Sequence, residues 1–191
     1  MDKPPPGVTM PTKAELLSEN NALKAENATL REQVMVDPLT GLYSRRYLEE
    51  RLRATQNEAQ RQKHTDVFVV FVDVDHFKML NDRHGHKMGD IVLAGIAERI
   101  KKAVRATDIA ARYGGEEIVI LGRGEGQVVA ERVRAAVAEE AIAGVAVTVS
   151  VGLSYFNPNA MSDTMTATIS RADAAMYSAK RIGRNRVAVA S

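Results

Sequence analysis

Residues 112–118 read Arg112-Tyr113-Gly114-Gly115-Glu116-Glu117-Ile118, two glycines and two carboxylates set between short runs of Ile, Val and Ala. This layout predicts a β-hairpin. Paired glycines can adopt the positive φ angles of a tight two-residue turn, and they leave no side chain to block a ligand approaching it. About forty residues upstream, the apolar run from Val67 to Val72 ends in Asp73-Val74-Asp75, which places a second acidic cluster where it can meet the first. Hard oxygen ligands from two strands suit Mg2+ carried on a nucleotide phosphate.

Composition bounds what such a site can belong to. A chain of 191 residues that is 45% hydrophobic is long enough for one domain with a sizeable core plus an appendage. No apolar run approaches the roughly 20 residues of a membrane span. Cysteine is absent, which excludes disulfides and thiolate metal sites and agrees with a cytoplasmic setting. A net charge of +2, with no basic stripe interleaved with aromatics, argues against nucleic acid as a partner. Phosphate recognition must therefore be local.

Three zones follow one another along the chain. Residues 1–12 are proline-rich at the start and read as a disordered leader. In residues 13–36, Leu16, Asn20, Leu23, Asn27, Leu30 and Val34 alternate at spacings of four and three. That is the a/d seam of a coiled coil, with Asn at a favouring a two-stranded parallel homodimer; an amphipathic helix docked on its own domain is the alternative. At Asp37-Pro38 the proline stops this helix, Gly41 permits a change of direction, and a new domain runs from 37 to 191.

Within that domain, helical and strand patterns alternate. Helices are expected over 44–62, 88–104, 127–140 and 163–181, and strands over 67–74, 109–112, 118–121, 145–155 and 186–189. This order predicts an α/β sandwich, a mixed central sheet of about five strands flanked by helices, with the coiled-coil helix at its N-terminus.

The ordered motifs resemble a GGDEF domain, the catalytic domain of bacterial diguanylate cyclases. The resemblance runs from Asp37 to Val189. It rests on Asp37-Pro38-Leu39-Thr40-Gly41-Leu42, Asp73-Val74-Asp75-His76-Phe77-Lys78 with Asn81-Asp82, Gly85-His86, Gly89-Asp90, the Gly-Gly-Glu-Glu turn, Ser150-Val151-Gly152, Ala179-Lys180 and Gly183-Arg184-Asn185. It implies the palm-like fold of nucleotidyl cyclases and polymerases. It also implies condensation of two GTP into cyclic di-GMP with release of two pyrophosphates.

On the family pattern, Asp73, the Val74 carbonyl, Glu116 and Glu117 hold Mg2+, with Mn2+ as a substitute, and Glu116 accepts the proton of the attacking hydroxyl. Read alone, Asp73 also suits a strand-end cap, and Glu116 and Glu117 a solvated hairpin tip. Asp90, accompanied by Asn81, takes the family's guanine position, where one carboxylate accepts both N1–H and N2–H. As an early helix residue, Asp90 would also be favoured by the helix dipole.

Phosphates are assigned to the amides at Phe77 and Lys78 and to Lys180 and Arg184, although two cations at a helix C-terminus also suit the dipole. The resemblance gives His86 a substrate-side role; His76, His84 and His86 lie on a loop without a closed metal-ligand set. Arg105 and Asp108 form the Arg-x-x-Asp pattern of the family's inhibitory product site, with a local salt bridge as the plain alternative. Neither Arg132 nor Arg134 is assigned as a second arginine there.

Ile118 stands where the family has phenylalanine, and the segment between Leu121 and Val145 is short for the family. The expected function is thus a dimeric diguanylate cyclase with a composite site between subunits and product inhibition. A catalytically silent cyclic di-GMP receptor or scaffold is the alternative.

Overall fold

The computed structural model describes residues 12–33, 35–63, 66–160 and 162–190. In chain order its elements are α1 (Lys13–Gln33), β1 (Tyr43–Ser44), α2 (Arg45–Gln62), β2 (Val67–Val74), α3 (Phe77–His84), α4 (His86–Ala103), β3 (Ile109–Arg112), β4 (Glu117–Arg123), α5 (Gly126–Ala138), β5 (Val149–Tyr155), α6 (Met165–Arg181) and β6 (Val187–Val189).

All eight residues of β2 are buried, which is why its sequence is apolar at consecutive positions. Side chains alternate between faces along a strand. Phe68, Val70, Val72 and Val74 therefore join one apolar cluster with Val92, Ile96 and Ile100 of α4 and Val129 and Val133 of α5. Val67, Val69 and Phe71 join another with Leu48 and Leu52 of α2 and Met165, Ala172 and Met176 of α6. Each fully buried Val, Leu or Ile contributes roughly 1.5–3 kcal/mol of transfer free energy.

The sheet between these helical layers has the order β1-β3-β4-β2-β5-β6. The inner pairs β3–β4, β4–β2 and β2–β5 are antiparallel, and the outer pairs β1–β3 and β5–β6 are parallel. The mixed, helix-flanked sheet matches expectation, with β1 as a strand too short for alternation to reveal. At Gly152, in β5, a Cβ would collide with the Ala172 carbonyl and the Met176 amide, so the sequence needs glycine for α6 to lie this close.

Three local expectations are corrected. Neither Gly114 nor Gly115 has positive φ. The hairpin instead closes with Tyr113 and Gly114 amides both donating to the Glu117 carbonyl, at 2.8 and 3.3 Å, around a longer loop. The strand expected from 145 begins only at Val149. Val145 is diverted into a bridge with Ile142, and the tight turn between them carries Ala143 and Gly144 at φ 50° and 81°. Pro38 does not terminate α1, which ends at Gln33; it lies in a turn in which Gly41, at φ 61°, donates to the Asp37 carbonyl.

The α1 helix and the residues from Met35 onward form separate units. At the start of α1, Thr12 and Glu15 make a capping box: Glu15 N–H donates to Thr12 Oγ1, and Thr12 N–H donates to Glu15 Oε2 at 2.7 Å. Leu16 and Asn20 of the seam are exposed. The side chains of Leu23, Asn27 and Leu30, and Val34 as a whole, lie outside the described residues.

Candidate active site

Antiparallel register brings the two acidic clusters together. Asp73 of β2 is the direct partner of Glu117 of β4. Lys180, near the C-terminus of α6, reaches the same point and its Nζ lies 2.7 Å from Asp73 Oδ1. Burial pushes the Asp73 carboxyl above its usual range, and Glu116 and Asp75 push it further against the opposing pull of Lys180. Burial likewise raises Glu117, reinforced by the charges of Asp73, Asp173 and Glu116. A Cβ on Gly114 would collide with the Glu117 carboxylate, whereas one on Gly115 would meet nothing within 4 Å, so the turn is open at Gly115.

Carboxylates that raise one another's proton affinity are a fit place for a hard divalent cation. Among the described residues no group of three or more His, Cys, Asp or Glu side chains is gathered to hold a metal ion. Backbone carbonyl, water and phosphate would have to complete the coordination, as Mg2+ commonly requires.

Asp75, two residues beyond Asp73, does not join this cluster. Its buried carboxylate is taken up by Ser150 Oγ on Oδ1 at 2.7 Å, and by Thr148 Oγ1 and the Asn185 amide on Oδ2 at 2.7 and 3.1 Å. Of the two aspartates in the acidic cluster, Asp73 therefore faces the hairpin, while Asp75 faces Thr148, Ser150 and the Asn185 amide.

The stretch after Asp75, read as loop, is helix α3. His76 precedes it at φ 57° without a side-chain cap. The first-turn amides at Phe77 and Lys78 are among those that a helix leaves without intrahelical acceptors. His84 closes α3 and His86 opens α4, with Gly85 at φ 82° between them. His76, His84 and His86 are all exposed.

Asn81 of α3 packs against α4 at Gly89, where any Cβ would collide with the Asn81 side chain. Its Oδ1 is buried and lacks a hydrogen-bond partner. Asp90, the next residue after Gly89, is exposed. A buried acceptor beside an exposed carboxylate leaves two polar groups for a ligand to answer. On the other flank of the turn, exposed Arg184 follows Gly183 in a run of three positive φ values through Asn185.

Arg105 and Asp108 lie at the opposite end of the β3–β4 ladder from the hairpin. They line a pocket of about 370 Å3 with Arg51, Thr55 and Glu58 of α2 and with Arg123 of β4. The buried Asp108 carboxylate accepts the Arg105 backbone N–H at 2.9 Å, so their link is a capped turn and not a side-chain salt bridge. Arg123 pairs with Glu58 at 3.0 Å. The further arginines at this pocket are thus Arg51 and Arg123, whereas Arg134 points elsewhere, to Glu131 and Asn185.

Sequence reasoning also missed Arg112. Its Nε and Nη2 donate to the Gly115 carbonyl at 3.1 and 2.9 Å, and its Nη1 lies 3.2 Å from Asp37 Oδ2. An arginine two residues before a glycine pair was a usable signal; its distant partner was not.

The family described as "Diguanylate cyclase, GGDEF domain" matches residues 34–186. Diguanylate cyclase DgcP of Pseudomonas aeruginosa is 40% identical over 169 residues, covering 84% of this chain and 24% of that protein. Diguanylate cyclase A of Treponema denticola is 37% identical over 178 residues, covering 87% of this chain and 47% of that protein. The chain therefore spans less than half of either relative. Among solved structures, the coiled coil and GGDEF domain of DgcB from Caulobacter crescentus, in complex with c-di-GMP, aligns with a TM-score of 0.76 at 32% identity, covering 93% of this chain and 96% of that one. Diguanylate cyclase SiaD from Pseudomonas aeruginosa, in complex with its activator SiaC, aligns at 0.75 and 37% identity, covering 93% and 71%. The paired carboxylates at an open glycine turn, the mixed sheet that carries them and the match over residues 34–186 agree, and the chain belongs to the diguanylate cyclase GGDEF-domain family.

Proposed function

We propose that this chain condenses two GTP molecules into cyclic di-GMP and releases two pyrophosphates. The observation that carries the reading is the Asp73–Glu117 pair, in register across β2 and β4, with Lys180 beside it and the turn open at Gly115. In each half-reaction a ribose 3′-oxygen forms a bond to the α-phosphorus of the other GTP, and the bond from that phosphorus to pyrophosphate breaks. Glu116 accepts the hydroxyl proton. Asp73, Glu116, Glu117 and the Val74 carbonyl would hold Mg2+, or Mn2+ in its place. When bound, the cation supplies neutralising charge to the phosphates and polarises the attacked centre.

The remaining residues bind and orient. The amides at Phe77 and Lys78 with Lys180 and Arg184 take the phosphates, and His86 lies on the substrate side. Asp90 accepts guanine N1–H and N2–H, and the unanswered Asn81 Oδ1 gives the base edge a second fixed point. Adenine lacks the matching donor pair, so GTP is preferred over ATP. One such domain holds one GTP, so two copies are needed to close the ring, and the α1 seam brings them together as a homodimer. The domain from 37 to 191 carries the chemistry, in the cytoplasm where GTP is available. The DgcB structures solved with c-di-GMP support a product site, which we place at Arg105 and Asp108 with Arg51 and Arg123 at its margin.

The test is incubation of the purified protein with GTP and Mg2+, followed by chromatographic separation of the nucleotides, with Glu116→Gln as control. Cyclic di-GMP formed only by the intact protein is the expected result. No product from dimeric protein free of bound cyclic di-GMP would overturn this reading in favour of a silent receptor.

A further inference from the structure

The turn that carries Arg184 is held by more contacts than a helix end needs. Gly183, Arg184 and Asn185 have φ values of 117°, 63° and 44°. Two consecutive non-glycine residues in the left-handed region are costly, and such a conformation persists only where its surroundings over-determine it. Three anchors do so. The Arg184 amide donates to the Ala179 carbonyl of α6 at 3.0 Å. The Asn185 amide donates to Asp75 Oδ2 at 3.1 Å. Asn185 Oδ1 accepts from Arg134 Nη1 of α5 at 2.9 Å, and Glu131 steadies that guanidinium from its other side at 2.8 Å.

Asp75 is the central anchor. Only 6% exposed, it follows β2 directly, so it joins the strand bearing Asp73 to the turn bearing Arg184. Its carboxylate accepts three hydrogen bonds, and charge-assisted bonds of this kind are roughly twice as strong as neutral ones. Arg184 itself stays exposed, and no described residue engages its guanidinium.

We propose that Asp75 and Arg134 are positioning residues for nucleotide binding: they lock the Gly183–Asn185 turn so that Arg184 meets the phosphates already aligned with Asp73. This rests on the reading that Arg184 contacts nucleotide phosphate. Neither residue touches substrate. Ordering the turn in advance removes the cost of ordering it on binding.

The test measures affinity for a GTP analogue non-hydrolysable between its α- and β-phosphates, by titration calorimetry with Mg2+ present. Compared are the unaltered protein, Asp75→Asn, Arg134→Met, Arg184→Gln and the double variant Asp75→Asn with Arg184→Gln. Arg184→Gln and Asp75→Asn should each weaken binding about tenfold, and Arg134→Met about threefold. The double variant should bind no more weakly than Arg184→Gln alone, because Asp75 acts through Arg184. Additive losses would show that Asp75 only supports the fold and would overturn the proposal. So would full affinity in Asp75→Asn beside weakened Arg184→Gln, which leaves the phosphate reading intact. Unchanged affinity in Arg184→Gln would instead remove the phosphate reading itself. If Asp75→Asn fails to fold, Arg134→Met and its double variant with Arg184→Gln decide by the same criteria.

Discussion

Arg112 and Asp37, 75 residues apart in sequence, form an ion pair at 3.2 Å while the same guanidinium grips the Gly115 carbonyl. The start of the domain and the open turn thus share one side chain. Burial would raise the Asp37 carboxyl, but hydrogen bonds from Thr40 and Arg112 outweigh it and hold the group below its usual range.

Asp37→Ala leaves donors on Thr40 and Arg112 unanswered in a half-buried place. We expect a loss of about 1–2 kcal/mol in urea unfolding. Cyclic di-GMP formation should fall as well, because Arg112 then holds the turn alone. An unchanged unfolding midpoint would show that the pair contributes nothing.

Lys180 is the counter-charge of Asp73. It therefore competes with any cation for that carboxylate. Lys180→Met should bind Mn2+ more tightly in nucleotide-free protein, by about three- to tenfold, while GTP binding weakens for want of a phosphate partner. Electron paramagnetic resonance reads the free Mn2+; weaker Mn2+ binding in the variant refutes the competition.

Glu117 has a raised proton affinity in the folded state, chiefly through burial and then through Asp73. A folded-state pKa above the unfolded one means that stability falls as pH rises through that window and stays lower above it. Glu117→Gln removes the charge, so the ligand-free variant should melt higher at pH 7, by on the order of 1 °C. The difference should vanish near about pH 3.5, where the carboxyl is protonated in both states. A gain that persists undiminished in acid would point to packing instead of charge.

If the α1 seam brings two copies together, Leu23→Gln with Leu30→Gln should abolish dimers in analytical ultracentrifugation and lower turnover per subunit more than tenfold at nanomolar protein. Turnover independent of dilution in this variant would count against the seam.

What the sequence determined by itself was local in origin. The β2 run is apolar at consecutive positions because both faces are buried, the helices after it keep their 3.6-residue period, and Glu116 and Glu117 directly follow a pair of glycines. Those patterns were enough for the mixed sheet and for bringing the acidic end of the β2 run toward the hairpin. The short helix α3 escaped because it starts from a left-handed His76 without a capping side chain, and β1 because two residues carry no period. Only the tertiary structure decided which aspartate does what. Register sets Asp73 against Glu117, while the end of β2 one residue later turns Asp75 toward Ser150, Thr148 and Asn185. It also decided that Arg51 and Arg123 border the Arg105 pocket and that Arg112 finds Asp37, because contacts across dozens of residues depend on how layers pack and not on any spacing along the chain.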